Sequence, residues 1–216
     1  MKSVLITGGT VRLGMAIAKR LQAEGWRVIT SSHRADAGAD IVADLSEPMG
    51  PAKLYAAALQ MLGGLPPDAL VNNAALFTGD AAAITAVNLE AAKKLTMLMA
   101  GRETGIGTVV NILDTKVLDV YRRLPTSTDA YLASKRELLA FTRSAAATFA
   151  ATLRVNGVAP GPVMAPTDVH EKAGEMLLDR RPTADDVAAA VSYLLSAEAT
   201  TGTVIPVDAG QNLLQA

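Results

Sequence analysis

Short apolar runs rich in β-branched residues alternate along the chain with longer alanine-rich stretches whose apolar positions recur at helical spacing. The runs predict strands near Ser3–Thr7, Arg27–Ser31, Asp40–Ala43, Ala69–Asn72, Thr108–Leu113, Arg154–Val158 and Val204–Val207. The stretches between them predict helices near Leu13–Glu24, Pro51–Leu62, Ala82–Ala100, Ser127–Ala150 and Ala184–Leu195. Strand and helix in such alternation imply an α/β architecture: seven parallel strands with right-handed crossovers, a doubly wound sheet covered by helices on both faces. No repeat, low-complexity segment or linker divides residues 1–216, and Gly63-Gly64-Leu65-Pro66-Pro67 reads as a helix-to-strand turn. A single domain is expected. Trp26 is expected to pack between the first helix and the second strand.

Composition narrows the class. The chain has 216 residues, 50% of them hydrophobic and 19% charged, and a domain of that size buries roughly 70% of its unfolded surface. A formal net charge of -1, 4% aromatic residues and no basic run argue against nucleic acid as a partner. The N-terminus enters a strand at Lys2 or Ser3 without an apolar leader, and no apolar stretch reaches the roughly 18 residues of a membrane span. A cytoplasmic location is therefore expected. The absence of cysteine removes disulfides, thiolate metal sites and cysteine nucleophiles, and no ligand spacing suggests a metal.

Against this background two motifs carry chemistry. Tyr131-Leu-Ala-Ser134-Lys135 puts a phenol and an ammonium on one helical face, where the cation favours the phenolate. That suits a proton donor. The first strand runs into Thr7-Gly8-Gly9-Thr10-Val11-Arg12-Leu13-Gly14, a glycine turn entering a helix N-terminus, which makes a pyrophosphate cradle or, more blandly, a tight strand-to-helix connection. The second strand ends in Ser31-Ser32-His33-Arg34, without an acid where a fold selecting NAD would carry one for the ribose 2'-hydroxyl. Arg34, Ser32 and Arg12 can instead receive a 2'-phosphate, although His33 and Arg34 also read as a solvated loop. Asp44 can accept from an adenine amino group or cap the following turn. Asn72-Asn73-Ala74-Ala75 offers amides to hold a loop and small residues to admit a ligand, and Asn88 is an unusual helix-interior residue unless its amide has work or faces solvent.

These residues, with Asn156, Pro160-Gly161, Gly202-Thr203-Val204 and Asp208-Ala209-Gly210 in the same order, make the chain similar to the short-chain dehydrogenase/reductase superfamily over nearly its whole length. Within it the chain resembles the pteridine reductases and dihydromonapterin reductases. Arg12 stands where most members have a third glycine, His33-Arg34 resembles the His-Arg of that branch, and Asp114 replaces the usual catalytic serine. The resemblance implies a Rossmann-type fold, NADPH/NADP as cofactor and a homotetramer built through the two long helices. It implies catalytic roles for Asp114, Tyr131 and Lys135, with Asn88 holding a connecting water. Gly8, Thr10, Arg12, Leu13, Gly14, Ser32, His33, Arg34, Asp44, Leu45, Asn73, Ala74, Tyr131, Lys135, Pro160, Gly161 and Val163 would bind the cofactor. Phe77, Asp114 and Tyr131 would bind substrate, with Phe77 stacking on a pterin.

An aspartate suits reduction of a ring C=N bond, where the incoming proton goes to nitrogen and a Tyr-Asp pair can relay it. Read alone, Asp114 could simply cap the loop after its strand, and Phe77 could be core. The chain also departs from the family. Asp114 and Tyr131 lie 17 residues apart, more than the family spacing, and the added loop holds Tyr121-Arg122-Arg123-Leu124-Pro125. That length puts the reach of Asp114 to Tyr131 in question. The substrate-covering segment, about 163–181 with His170 on it, is shorter than usual. The leading expectation is an NADPH-dependent reductase of a pterin such as dihydrobiopterin, dihydromonapterin or dihydrofolate. One alternative is a carbonyl or 3-oxoacyl reductase in which a hydroxyl such as Thr115 replaces Asp114. Another is a nonenzymatic NADP(H)-binding protein.

Overall fold

The computed structural model describes residues 1–118, 130–163 and 176–214. Its centre is one seven-stranded, all-parallel sheet of β1 (Ser3–Thr7), β2 (Arg27–Ser32), β3 (Ile41–Val42), β4 (Ala69–Asn72), β5 (Gly107–Ile112), β6 (Leu153–Pro160) and β7 (Val204–Val207), in the order β3-β2-β1-β4-β5-β6-β7. Every residue of β1, β4 and β5 is buried, which is why these strands read as unbroken apolar runs rather than as alternating ones. Among the described residues six helices lie in the crossovers: α1 (Arg12–Ala23), α2 (Gly50–Met61), α3 (Ala81–Thr85), α4 (Ala91–Ala100), α5 (Ala130–Thr148) and α6 (Ala184–Ser196).

Two apolar cores follow from the alternation of side chains across the sheet. Leu5, Ile29, Leu70 and Val109 pack beneath Leu54, Leu95 and Met99, while Val4, Ile6, Val71 and Val110 pack beneath Ile17, Leu21, Val191 and Leu194. Trp26 lies against the second core. Among the described residues no helix is long and apolar enough to cross a membrane.

Three elements differ from the sequence pattern. The strand expected over Asp40–Ala43 shrinks to Ile41–Val42, because the Asp40 carboxylate turns back to accept from the Thr30 N–H and hydroxyl, both at 2.8 Å. β6 runs on to Pro160 because β7 continues to pair with it, Ala159 opposite Pro206 and Pro160 opposite Val207. The helix expected over Ala82–Ala100 is α3 and α4 joined by a π-helical turn over Ala86–Glu90. Such single wide turns are frequent at functional sites. The expected start of the fifth helix at Ser127 lies outside the described residues.

Strand order reverses between β1 and β4. In open α/β sheets ligands bind in the crevice beyond the carboxyl ends of the strands at that reversal. Thr7, Ser32, Asn72, Ile112 and Pro160 end their strands on this edge.

Candidate active site

The turn after β1 is built by close backbone approach. Gly8 has φ +63°, and a Cβ there would lie 3.2 Å from the Ala74 Cα. A Cβ on Gly14 would lie 2.0 Å from the Gly8 carbonyl oxygen, so only glycine fits. The β4 turn clasps this one: Asn73 Nδ2 donates to the Thr7 and Gly8 carbonyls, each at 3.0 Å, and the Thr7 hydroxyl accepts the Asn73 and Ala74 N–H groups, each at 3.0 Å. The N-terminus of α1 has no side-chain cap at Val11, so its N–H groups face the turn in the way an anion requires. Arg12 adopts φ +48°, a left-handed conformation that strains any side-chain-bearing residue by about 1 kcal/mol or more. Glycines that a Cβ would clash with and an uncapped helix N-terminus fit a dinucleotide pyrophosphate. Thr10 and Leu13 line the same turn, and Leu13 also packs on the core.

At the end of β2 the Ser32 hydroxyl oxygen accepts the Arg34 N–H at 3.1 Å. The expectation that no acid competes at this position is corrected by the structure: the Arg34 guanidinium grips both oxygens of Asp36 at 2.7 and 3.0 Å. Their mutual hydrogen bonds lower the Asp36 carboxyl and raise the Arg34 guanidinium. His33 is exposed beside them. Asp44 Oδ1 accepts from both the N–H and the hydroxyl of Ser46, at 2.8 and 2.7 Å, so this oxygen caps its own turn. The Leu45 side chain is buried in the core, leaving only its backbone to a ligand.

At the ends of β4 and β5 a second group assembles. The Tyr131 hydroxyl donates to Asp114 Oδ2 at 2.8 Å. The other Asp114 oxygen accepts the Lys116 N–H at 2.8 Å and caps the 3-10 turn Thr115–Val117, so the residue caps a loop and meets the phenol at once. Lys135 is buried with Nζ donating to the Ile112 carbonyl at 2.8 Å and lying 5.8 Å from the Tyr131 ring centre. Burial pulls its ammonium down to about 8, with the Asp114 charge opposing the shift. Asn88, at the centre of the π turn, accepts the Leu76 N–H at 2.7 Å and donates to the Leu76 carbonyl at 2.9 Å and the Ser134 hydroxyl at 3.2 Å. Its amide thus holds the loop that carries Phe77. The Phe77 ring lies 4.9 Å from that of Tyr131, tilted by 30°, and is 67% exposed, which sets it apart from the core. A cavity of about 10 Å³ lies beneath, lined in part by Thr7, Asn72, Asn88 and Lys135, room for about one water.

The hydroxyl of Thr115, the alternative donor, is buried and donates to Asp208. Asp208 also accepts from the Gly210 and Asn212 N–H groups at 3.0 and 2.8 Å. Against it packs Gly161, where a Cβ would lie 2.7 Å from the Asp208 Cβ. The next carbonyl, Ala209, receives the N–H groups of Leu177 and Leu178 at 3.0 Å each, so the returning end of the covering segment sits on this turn. Pro160, Gly161 and Val163 border it at the end of β6. Most of the covering segment, His170 included, and Arg122 and Arg123 lie outside the described residues.

The structure therefore gathers Asp114, Tyr131, Lys135, Asn88 and Phe77 into one group and the glycine turn with Asn73 and Ala74 into another. Arg34, Ser32 and His33 stand at a third place along the same edge. Thr7 and Asp208 stood in the quoted motifs, but their hydrogen-bonding work was not foreseen. Asp36 was passed over, although an acid two residues beyond the arginine was an accessible signal.

A doubly wound sheet with a glycine cradle at its switch point and a Tyr-Lys pair at the next strand end defines a dinucleotide-linked oxidoreductase fold. The family described as enoyl-(acyl carrier protein) reductase matches residues 11–212, and the chain belongs to it, within the short-chain dehydrogenase/reductase superfamily. The chain is 32% identical to a protein of Streptomyces violaceoruber named as ketoacyl reductase 2 of the granaticin polyketide synthase, covering 97% of this chain and 96% of that one. It is 30% identical to the NADP-dependent (R)-specific alcohol dehydrogenase of Lentilactobacillus kefiri, again over 97% and 96%. Among solved structures it is similar to FolM alternative dihydrofolate reductase 1 of Brucella canis complexed with NADP, at 30% identity and a TM-score of 0.84, covering 99% and 95% of the two chains.

Proposed function

We propose that the protein is an NADPH-dependent reductase of the C=N bond of a pterin, of the dihydrobiopterin, dihydromonapterin or dihydrofolate class. The observation that carries this reading is the 2.8 Å bond from Tyr131 to Asp114, with the alternative hydroxyl, Thr115, already committed to Asp208. A ketone site wants a neutral hydroxyl beside the phenol to polarise the carbonyl oxygen. Here the neighbour is a carboxylate, an acceptor that can take the amino group or ring N–H of a pterin. The exposed Phe77 ring beside Tyr131 suits a flat heterocycle. The Brucella canis protein, named as a dihydrofolate reductase and bound to NADP, supports both substrate class and cofactor. The names of the Streptomyces and Lentilactobacillus relatives instead favour a ketone or ketoacyl substrate.

In this reading the uncapped N-terminus of α1, with Gly8, Thr10, Leu13 and Gly14, holds the pyrophosphate, while Arg12, Ser32, His33 and Arg34 hold the 2'-phosphate. Asp44 and the Leu45 backbone take the adenine. Asn73 and Ala74 border the ribose, and Pro160, Gly161 and Val163 the nicotinamide. When bound, NADPH supplies hydride to the ring carbon. Tyr131 donates its hydroxyl proton to the ring nitrogen, Asp114 orients the substrate and the phenol, and the Lys135 charge stabilises the phenolate left behind. One water held at Asn88 and Lys135 would return the proton. The protein would act as a homotetramer joined through the alanine-rich faces of α4 and α5.

NADPH oxidation with 7,8-dihydrobiopterin and dihydrofolate beside a panel of ketones, in wild type, Asp114→Ala and Thr115→Val, tests the assignment. Pterin turnover lost in Asp114→Ala is the expected result. Ketone turnover that survives Asp114→Ala and fails in Thr115→Val would move the protein to the carbonyl branch. NADPH binding with no turnover of either class would make it a nonenzymatic binder.

A further inference from the structure

The pair Arg34 and Asp36 stands outside the catalytic group, and of the two only Arg34 has a task in the reading proposed above. Two of the five N–H donors of Arg34, on Nε and Nη2, are matched to the two oxygens of Asp36 at 3.0 and 2.7 Å. The side chains are 63% and 70% exposed; Asp36 lies in the short turn Ala35–Ala37 between β2 and β3, Arg34 immediately precedes it, and Gly38 closes it at φ +65°. Because the partners are two residues apart, forming the pair orders little chain. Forked geometry of this kind is also what a guanidinium offers a phosphate. One edge of Arg34 cannot serve both anions.

We propose that Asp36 is a specificity-determining residue that narrows the preference of this site for a 2'-phosphorylated dinucleotide over the unphosphorylated one. The inference rests on the NADPH reading, in which Arg34 meets the 2'-phosphate. A 2'-phosphate that takes the Nε–Nη2 edge of Arg34 displaces the Asp36 carboxylate from it, and one that takes the remaining Nη1 donors binds beside that negative charge. A ribose with a free 2'-hydroxyl leaves the pair intact and meets no such repulsion. Asp36 therefore weakens binding of NADP(H) selectively, through Arg34, and leaves NAD(H) nearly untouched. Ser32, which already accepts the Arg34 N–H, keeps the loop shaped for either ligand.

Calorimetric titration of NADP+ and NAD+ into the folded protein tests this without recourse to turnover. Asp36→Asn should tighten NADP+ about three- to fivefold, the scale of an exposed ion pair, and change NAD+ by less than about twofold. Asp36→Glu, which keeps the charge, should stay near the wild-type ratio. The effect of Asp36→Asn should shrink in an Arg34→Ala background, because the rival has no fork left to occupy, and it should also shrink at high salt. An unchanged NADP+ to NAD+ ratio in Asp36→Asn, in a protein whose wild type binds NADP+, overturns the role of Asp36 and leaves the cofactor reading standing. A wild type that binds neither dinucleotide, or prefers NAD+, overturns that reading and the role of Asp36 with it.

Discussion

The two ends of the crevice are held together in opposite ways. At the catalytic end, Asn88, Ser134, Lys135, Thr115 and Asp208 are polar side chains at 2 to 4% exposure, and the bonds that fix them join segments far apart in the chain, such as Thr115 to Asp208 across 93 residues. At the β2 end, Arg34 and Asp36 are largely exposed and satisfy each other across two residues. Buried polar groups must be paired, so their pairing is part of the fold and their geometry is set before any ligand arrives. An exposed pair is screened by water and salt and can be exchanged at little cost to the fold. In the proposed reading chemistry sits where the fold dictates the geometry, and cofactor choice where a few exposed residues decide it.

Substitutions at the catalytic end should therefore act on rate, and the largest effect is expected at Tyr131. Tyr131→Phe removes the proton donor while keeping the ring beside Phe77, and kcat with a pterin should fall about a thousandfold, within the range of general acid catalysis. NADP+ affinity, read by calorimetry, should change far less. Equal losses in both would mean that the hydroxyl binds rather than reacts. Asp114→Asn is next. An amide oxygen can still accept the Lys116 N–H and cap the turn, so melting temperature should hold while pterin turnover drops about a hundredfold for want of a charged acceptor. A variant that melts early and reacts normally would assign Asp114 to the loop alone.

Burial of Lys135 gives the catalytic end a pH signature that the exposed end lacks. Its ammonium is pulled from 10.5 to about 8, so kcat/KM should fall about tenfold per pH unit as the group loses its charge above that value. Stability should respond in the other direction. Between about 8 and 10.5 the unfolded chain keeps a proton that the folded one has released, and the contribution of Lys135 to folding rises with pH through that window. Below it the buried charge works against the fold. Lys135→Met should abolish both trends, and a stability profile unchanged by that substitution would show that the lysine is not the titrating group.

How much of this was legible in the sequence follows the same division. The central strands β1, β4 and β5 and the glycine turn could be read because buried parallel strands write apolar runs and only glycine tolerates the approach of Gly14 to the Gly8 carbonyl. Tyr131 and Lys135 could be read because four residues make one helical face. The partner of Tyr131 was harder. The long loop before α5 put Asp114 in doubt, yet Asp114 sits just beyond β5, whose register with β4 and β6 fixes it whatever the loop length. The π turn at Asn88 escaped because apolar spacing does not distinguish a wide turn from a regular one; its cause is a tertiary bond to the Leu76 loop. The bond from Thr115 to Asp208 escaped because nothing local links the two residues. Asp36 was within reach, but reading Arg34 only toward a phosphate passed over the acid beside it.

The mildest substitution tests the exposed end directly. Arg34→Ala takes away the forked donor, which at this exposed position is screened by water. In this protein the phosphate competes with Asp36 for that donor, so NADP+ should weaken by only about tenfold. NAD+ should bind as before, because a 2'-hydroxyl never engaged the fork. With its side chain 63% exposed and its guanidinium bonded within its own loop, Arg34 should leave the melting temperature unchanged on removal. A fall in melting temperature would place Arg34 among the groups that hold the fold, and equal weakening of NADP+ and NAD+ would show that it supports the loop rather than reads the phosphate. Either result would erase the contrast between the two ends, since the exposed pair would then be as much a part of the architecture as Thr115 and Asp208.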